Sequence, residues 1–214
     1  MITIIGVAAG CLAGLIYSEK IKSFIGRLVF KPLTSSLFIT VAVLQTSAAS
    51  TYGHGILMGL ALSWAGDVCL MFSSDKLFLG GLLAFLGAHI CYAVVFFISG
   101  DWGIVPALSG LLLLTVGAGI YRWLSPNLGR MRGPVIAYMI VITTMLEAAM
   151  MLAVSSKTIP AGKWLVLGGA TLFYFSDIWV ARDKFVSEGF VNSAVGLPLY
   201  YTGQFCLAMS IGYI

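Results

Sequence analysis

The stretch that decides the fold is residues 77–98, LFLGGLLAFLGAHICYAVVFFI, which carries no charged side chain and is long enough to cross a hydrocarbon layer as a helix. Apolar residues follow one another here without strand-type alternation. In lipid, backbone N–H and C=O groups must pair within the segment, which leaves α-helix as the assignment. Similar runs occupy residues 2–17, 33–49, 56–72, 103–121, 134–154, 164–181 and 193–214. The expected architecture is all-α: a polytopic membrane protein with eight transmembrane helices, forming a single transmembrane domain over residues 1–214. The first run imitates a signal-peptide core, but no basic stretch precedes it and no cleavage site with a soluble domain follows, so it reads as the first span.

Composition agrees. The chain is 60% hydrophobic and 9% charged, with a mean hydropathy of +1.02, whereas soluble domains carry about a quarter charged residues. Lipid is therefore the solvent for most of it. The net charge of +4 is scattered without a basic run, which argues against nucleic acid as a partner. Cys11, Cys69, Cys91 and Cys206 lie singly in apolar runs, there are two histidines, and no HExxH or CxxC occurs. No metal or cofactor is expected, and nothing calls for an obligate protein partner.

Loop charge sets the expected orientation. Lys20, Lys22, Arg27, Lys31, Lys76, Arg122, Arg130, Arg132, Arg182 and Lys184 fall in odd-numbered loops, against Lys157 and Lys163 elsewhere. Both termini should face away from the cytoplasm. Trp102, Tyr121, Trp123 and Trp164 sit at span ends, as interfacial aromatics do. Gly6, Gly10 and Gly14 recur every four residues, a spacing that lets a neighbouring helix approach. Gly66-Asp67, Asp75-Lys76 and Gly80 echo Ser176-Asp177, Asp183-Lys184 and Gly189, while Lys31-Pro32 echoes Arg132-Gly133-Pro134. Such an echo fits a parallel repeat of four plus four helices; chance likeness among hydrophobic helices is the alternative.

Asp67, Glu147 and Asp177 fall within spans, where each carboxylate costs a few kcal/mol and is a functional candidate. Asp67 and Asp177 are expected at a common depth, a little over one helical turn from the cytoplasmic ends of spans 3 and 7. Asp67 shares a face with Gly55, Gly59 and Ser63, and Asp177 with Gly169 and Phe173. If those faces meet, one acid can hold a proton while the other is an anion, the arrangement that lets paired acids run acid-base chemistry. His89 and Tyr92 share a face of span 4; Tyr200, Tyr201 and Gln204 form a polar patch in span 8. Each taken singly fits an interhelical hydrogen bond, and together they fit a lined pocket. Lys31, at the mouth of span 2, suits a phosphate as a point charge or serves to set topology. Glu147 lies toward the opposite leaflet and reads as structural or as a substrate contact.

Four segments carry a resemblance: residues 59–67, GLALSWAGD; 84–92, AFLGAHICY; 169–177, GATLFYFSD, continuing to Lys184-Phe185; and 200–204, YYTGQ. With Lys31-Pro32-Leu33, and in this order, they resemble the YhhN family of integral membrane lysoplasmalogenases. The resemblance implies hydrolysis of the vinyl ether bond of lysoplasmenylethanolamine or lysoplasmenylcholine, releasing a fatty aldehyde and the glycerophospho-alcohol. It implies a lysophospholipid substrate within the bilayer, with a bacterial inner membrane the expected location. The matched positions are Lys31, Asp67, His89, Tyr92, Ser176, Asp177, Tyr201 and Gln204. Glu147 stands outside the pattern.

Such a bond breaks by protonation of the alkene carbon, which demands a proton donor and a nearby anion, met here by Asp67 and Asp177, with Asp177 favoured as donor. The remaining residues would orient water, ether oxygen and headgroup. A proton-coupled transporter or lipid carrier is the rival reading, since intramembrane acids also serve alternating access. A metal-dependent headgroup phosphotransferase lacks the clustered aspartates it needs.

Overall fold

A computed structural model describes residues 1–47, 50–101, 104–156 and 159–214, with the side chains of 104–107 outside the description. Trp102 and Lys157, and the first residue of the fifth predicted span, lie outside the described residues. The described elements are eight α-helices: α1 (Ile2–Lys20), α2 (Phe24–Gln45), α3 (Thr51–Leu70), α4 (Asp75–Ser99), α5 (Ile104–Leu124), α6 (Arg132–Val154), α7 (Pro160–Phe185) and α8 (Phe190–Ser210), with short 3-10 turns after α5 and α8. Seven are long and apolar enough to cross a membrane. The other, α8, has comparable length but carries Asn192, Tyr200, Tyr201, Gln204 and Ser210, all buried. These five side chains face protein rather than hydrocarbon, so the low apolarity of α8 is compatible with a place in the bundle.

The helices overrun the apolar stretches that predict them. The second span, expected from residue 33, begins at Phe24 because Ser23 caps it, its hydroxyl accepting from the Gly26 N–H at 3.2 Å. Lys31 and Pro32 therefore lie inside α2 rather than at its mouth, and the proline is carried within the helix. Likewise α7 continues to Phe185, four residues beyond the predicted end. Charged residues assigned to loops, among them Lys20, Lys76, Arg122 and Lys184, sit on terminal turns of helices.

Packing repeats between the halves. Helix α3 lies along α4 as α7 lies along α8; α2 meets α3 as α6 meets α7; α1 meets α2 as α5 meets α6; and α4 meets α6 as α8 meets α2. The core joins Phe38 of α2, Ile56 and Leu60 of α3, Tyr92 and Phe96 of α4, Met145 and Leu152 of α6, Phe173 of α7 and Tyr201 and Leu207 of α8. Helix α5 is peripheral, giving this core only Leu113 among the described residues. Trp123 and Trp164 are exposed, as an interfacial position requires.

Small residues mark the tight crossings, though not all those expected. A Cβ at Gly6 or Gly10 would meet nothing within 4 Å, and of the three α1 glycines only Gly14 faces a neighbour, the Phe30 ring. Gly55 and Gly59 receive Val95 and Tyr92 of α4. Among the described glycines, the closest approach to another helix's backbone joins α7 to α8: a Cβ at Gly203 would lie 2.8 Å from the Gly169 carbonyl oxygen, and one at Gly169 2.9 Å from that of Gly203. Neither backbone can yield as a side chain does. Gly203→Ala should cost about 1–3 kcal/mol, as overpacking does, and lower the melting midpoint in detergent. Gly168→Ala, on the open face of α7, should leave it unchanged; equal midpoints for the two variants would refute this account of the crossing.

Candidate active site

Asp67 lies one turn before the end of α3 and is 2% exposed. An ionised carboxylate at such a position needs compensation from charge and hydrogen bonds together. Lys31 Nζ of α2 stands 3.6 Å from its Oδ1. Its Oδ2 accepts from Ser35 Oγ at 2.6 Å and from Tyr200 OH at 2.7 Å. Lys31 and Ser35 are four residues apart on α2, which places both on one helix face. Tyr201 OH donates to the Lys31 carbonyl at 3.2 Å and lies 3.2 Å from Ser35 Oγ, fixing α8 against α2 beneath the acid.

Asp177 has different company. It is half-buried on α7 and accepts at Oδ2 from Tyr138 OH of α6. Its Oδ1 lies 3.5 Å from Ser176 Oγ, whose hydroxyl donates to the Phe173 carbonyl at 2.7 Å. No cation among the described residues forms an ion pair with it.

Both acids line one cavity of about 530 Å³, within the range of about 300–1,000 Å³ usual for small-molecule sites. Lys31, Ser176 and Tyr200 line it too, with Tyr138 and Phe85 and an apolar wall that includes Leu82, Ile142 and Leu197. The mouth carries Glu19, Arg27, Asp183, Lys184 and Glu188. It is framed by Lys184 Nζ on Asp75 Oδ1 at 2.8 Å and by Asn192, which donates to Asp183 Oδ1 at 2.6 Å and accepts from Arg182.

The juxtaposition arises differently from the sequence expectation. Helices α3 and α7 are not close neighbours; α4, α6 and α8 make the contacts between them. Nor are the acids level along their helices, since Asp67 lies about 4–5 Å and Asp177 about 12 Å from its C-terminal end at 1.5 Å per residue. The longer α7 supplies the difference.

His89, Tyr92, Tyr201 and Gln204, expected to contact substrate, do not line the cavity and are fully or almost fully buried behind it. Tyr92 OH donates to Gln204 Oε1 at 3.0 Å. The His89 ring packs between Tyr138 and Phe173, with centroids 5.2 and 4.6 Å away. These side chains support the wall. Lys31, read as a phosphate ligand or a topology-setting charge, is engaged by Asp67. Glu147 accepts from Ser109 Oγ at 3.0 and 3.1 Å, joining α6 to α5 away from the cavity.

Ser35 and Tyr138 were not apparent as site residues. Ser35 shares the helix face of Lys31, and Tyr138 follows Pro134 by one turn as Ser35 follows Pro32, but helical hydroxyls mostly bond their own backbone and carry no distinguishing mark. Removing one partner of a buried ion pair costs about 3–5 kcal/mol, whereas removing both can be nearly neutral. Lys31→Met should accordingly lower the melting midpoint sharply, and Lys31→Met with Asp67→Asn should regain most of the loss. A single variant as stable as the parent would show that the ammonium does not sustain the acid.

Comparison with known proteins gives consistent relationships. The chain is 32% identical to lysoplasmalogenase TMEM86A of Bos taurus over 161 residues, covering 72% of this chain and 64% of the relative. It is 33% identical to lysoplasmalogenase TMEM86B of Mus musculus over 154 residues, 71% of this chain and 60% of the relative. A lysoplasmalogenase homolog of Dictyostelium discoideum is 24% identical over 197 residues, 76% of this chain and 64% of the relative. The matches thus span less than two thirds of these relatives' own length. No solved structure matches. The YhhN family model matches residues 26–211, from the first turn of α2 to the end of α8 and so across both acids, Lys31, Ser35, Tyr138 and Tyr200: the chain belongs to the YhhN family.

Proposed function

We propose that the protein is a lysoplasmalogenase, an ether hydrolase that cleaves the vinyl ether bond of lysoplasmenylethanolamine or lysoplasmenylcholine by aspartate acid-base catalysis. The observation that carries the reading is that two acids in unlike surroundings open onto one lipid-sized cavity in a membrane-embedded helix bundle. The names of the relatives support it. We place the protein in a bacterial inner membrane and, on the strength of the loop cations, orient both termini away from the cytoplasm.

The hydrogen bonds divide the roles. Asp67 accepts from two hydroxyls and faces an ammonium, a pattern suited to a carboxylate that remains ionised. Asp177 has one hydroxyl donor, Tyr138, at Oδ2. Its Oδ1 receives only a long contact, 3.5 Å, from a Ser176 hydroxyl that also donates to the Phe173 carbonyl, and no ammonium among the described residues stands beside it, so a negative charge is less compensated there than on Asp67 and the protonated acid is favoured. Asp177 is thus the donor. Its proton passes to the alkene carbon beta to the ether oxygen as the π pair forms the new C–H bond, leaving an oxocarbenium ion. The Asp67 carboxylate stabilises that cation. Water adds to the cationic carbon and returns a proton to Asp177. The hemiacetal then breaks its C–O bond to give the aldehyde and the free glycerol hydroxyl.

Asp67→Asn and Asp177→Asn should each reduce aldehyde release at least about 100-fold, the lower range for a positioned acid or base, while the protein stays monodisperse in detergent. In D2O the aldehyde should gain one deuterium at the carbon next to the carbonyl. The saturated ether analogue should release nothing. Full activity in both variants, or aldehyde without that deuterium, would overturn the mechanism; turnover in micelles separates an enzyme from a transporter, which needs a sealed compartment.

A further inference from the structure

With Lys31 held by Asp67, the cation of α2 left for an anion is Arg27, one turn nearer the cavity mouth. Its Nε is buried without a hydrogen-bond partner. Among the described residues the one carboxylate paired with it is Glu19 of α1, at 3.9 Å. That is the limit of an ion pair and too long for a hydrogen bond. Both side chains line the cavity. They are brought together by the tight turn between α1 and α2, in which Lys22 takes a left-handed φ of 54° and Ser23 N–H donates to the Ser18 carbonyl at 2.8 Å.

Each of the two charges stands at a helix end of its own sign. Arg27 lies near the N-terminus of α2, where unpaired N–H groups are positive and no acidic residue occupies the first turn. Glu19 lies in the last turn of α1, where carbonyls are negative; the neighbouring Lys20 is exposed. Beyond that 3.9 Å pairing, one side of the mouth has no anion and the other no cation at hydrogen-bond distance among the described residues. A zwitterion oriented across the pair would supply both at once.

We propose that Arg27 and Glu19 form the headgroup subsite, Arg27 binding the phosphate and Glu19 the ammonium of an ethanolamine or choline lysophospholipid. The assignment rests on the lysoplasmalogenase reading and deepens it. The spacing is suitable. Arg27 precedes Lys31 by four residues, about 6 Å along α2, and Lys31 stands 3.6 Å from Asp67. Three glycerol carbons separate the phosphate from the ether oxygen, so a phosphate on Arg27 leaves the vinyl ether at the depth of the acids.

The test pairs binding with turnover. Binding is measured with three saturated 1-O-alkyl probes that cannot be cleaved: the lysophosphoethanolamine, the lysophosphatidate without amine, and the alkylglycerol without phosphate. The parent protein should bind the first at least about tenfold more tightly than the third, as expected for a charge-assisted phosphate contact. Arg27→Gln should abolish that preference and raise KM for the vinyl ether substrate with kcat little changed, and Arg27→Lys should restore most of both. Glu19→Gln should remove the preference for the lysophosphoethanolamine over the lysophosphatidate. It also carries the test alone if Arg27→Gln does not fold.

A parent protein without the phosphate preference, or an Arg27→Gln or Glu19→Gln variant that keeps its preference, would overturn the subsite. Parent protein that releases aldehyde while the variants keep their preferences would leave the catalytic reading standing and the subsite lost. Parent protein that binds as expected but releases no aldehyde would do the reverse.

Discussion

The constraint on which the rest of the site depends is the presence of an acid, Asp67, in a bundle whose solvent is hydrocarbon. Its neighbours are what such a charge demands: an ammonium at 3.6 Å and two hydroxyl donors within 2.7 Å, drawn from two other helices. Satisfying it draws α2 and α8 against α3. Tyr201 completes the arrangement from below, bonding the Lys31 carbonyl and standing beside Ser35. Hydrophobic packing gives little specificity among helices already dissolved in lipid, so this polar node has more influence on register here than in a soluble core.

The same solvent explains what was legible in the sequence. Helix number and approximate position follow from the uncharged runs, because a lipid-spanning segment has few alternatives. Asp67 and Asp177 were legible for the complementary reason: an acid in such a run is costly enough to need a purpose. Helix ends were less so. Hydropathy stops at the first charged residue, whereas α2 and α7 continue through Lys31 and Lys184 into the mouth of the cavity. That difference moved Lys31 from the mouth to a position beside Asp67 and turned a candidate phosphate ligand into the counter-ion of an acid.

The hydroxyl partners were hidden more deeply. Thr34, Ser36, Thr40 and Thr144 each donate to the carbonyl four residues back, the default for a helical hydroxyl in an apolar setting. Ser35 makes that bond too, at 3.0 Å, and also reaches Asp67. Nothing local separates it from Thr34. His89, Tyr92 and Gln204 show the converse: polar residues at conspicuous positions that prove to lie behind the wall. Periodicity gives the face of a helix, but which face looks on the cavity is settled only when the other helices are in place.

The repeated packing offers a reason for the pair of unlike acids. In each half the third helix carries an aspartate that accepts a hydroxyl from the second helix, Ser35 on Asp67 and Tyr138 on Asp177, and each hydroxyl follows a proline by about one turn. What differs is the residue before that proline. Lys31 precedes Pro32, while Gly133 precedes Pro134 with Arg132 one place further back and exposed. One acid thus has an ammonium and the other has none. Together with the second hydroxyl that Tyr200 gives Asp67, that difference turns two similar helix arrangements into two unlike acids, one compensated by an ammonium and two hydroxyls and the other with one close hydroxyl donor.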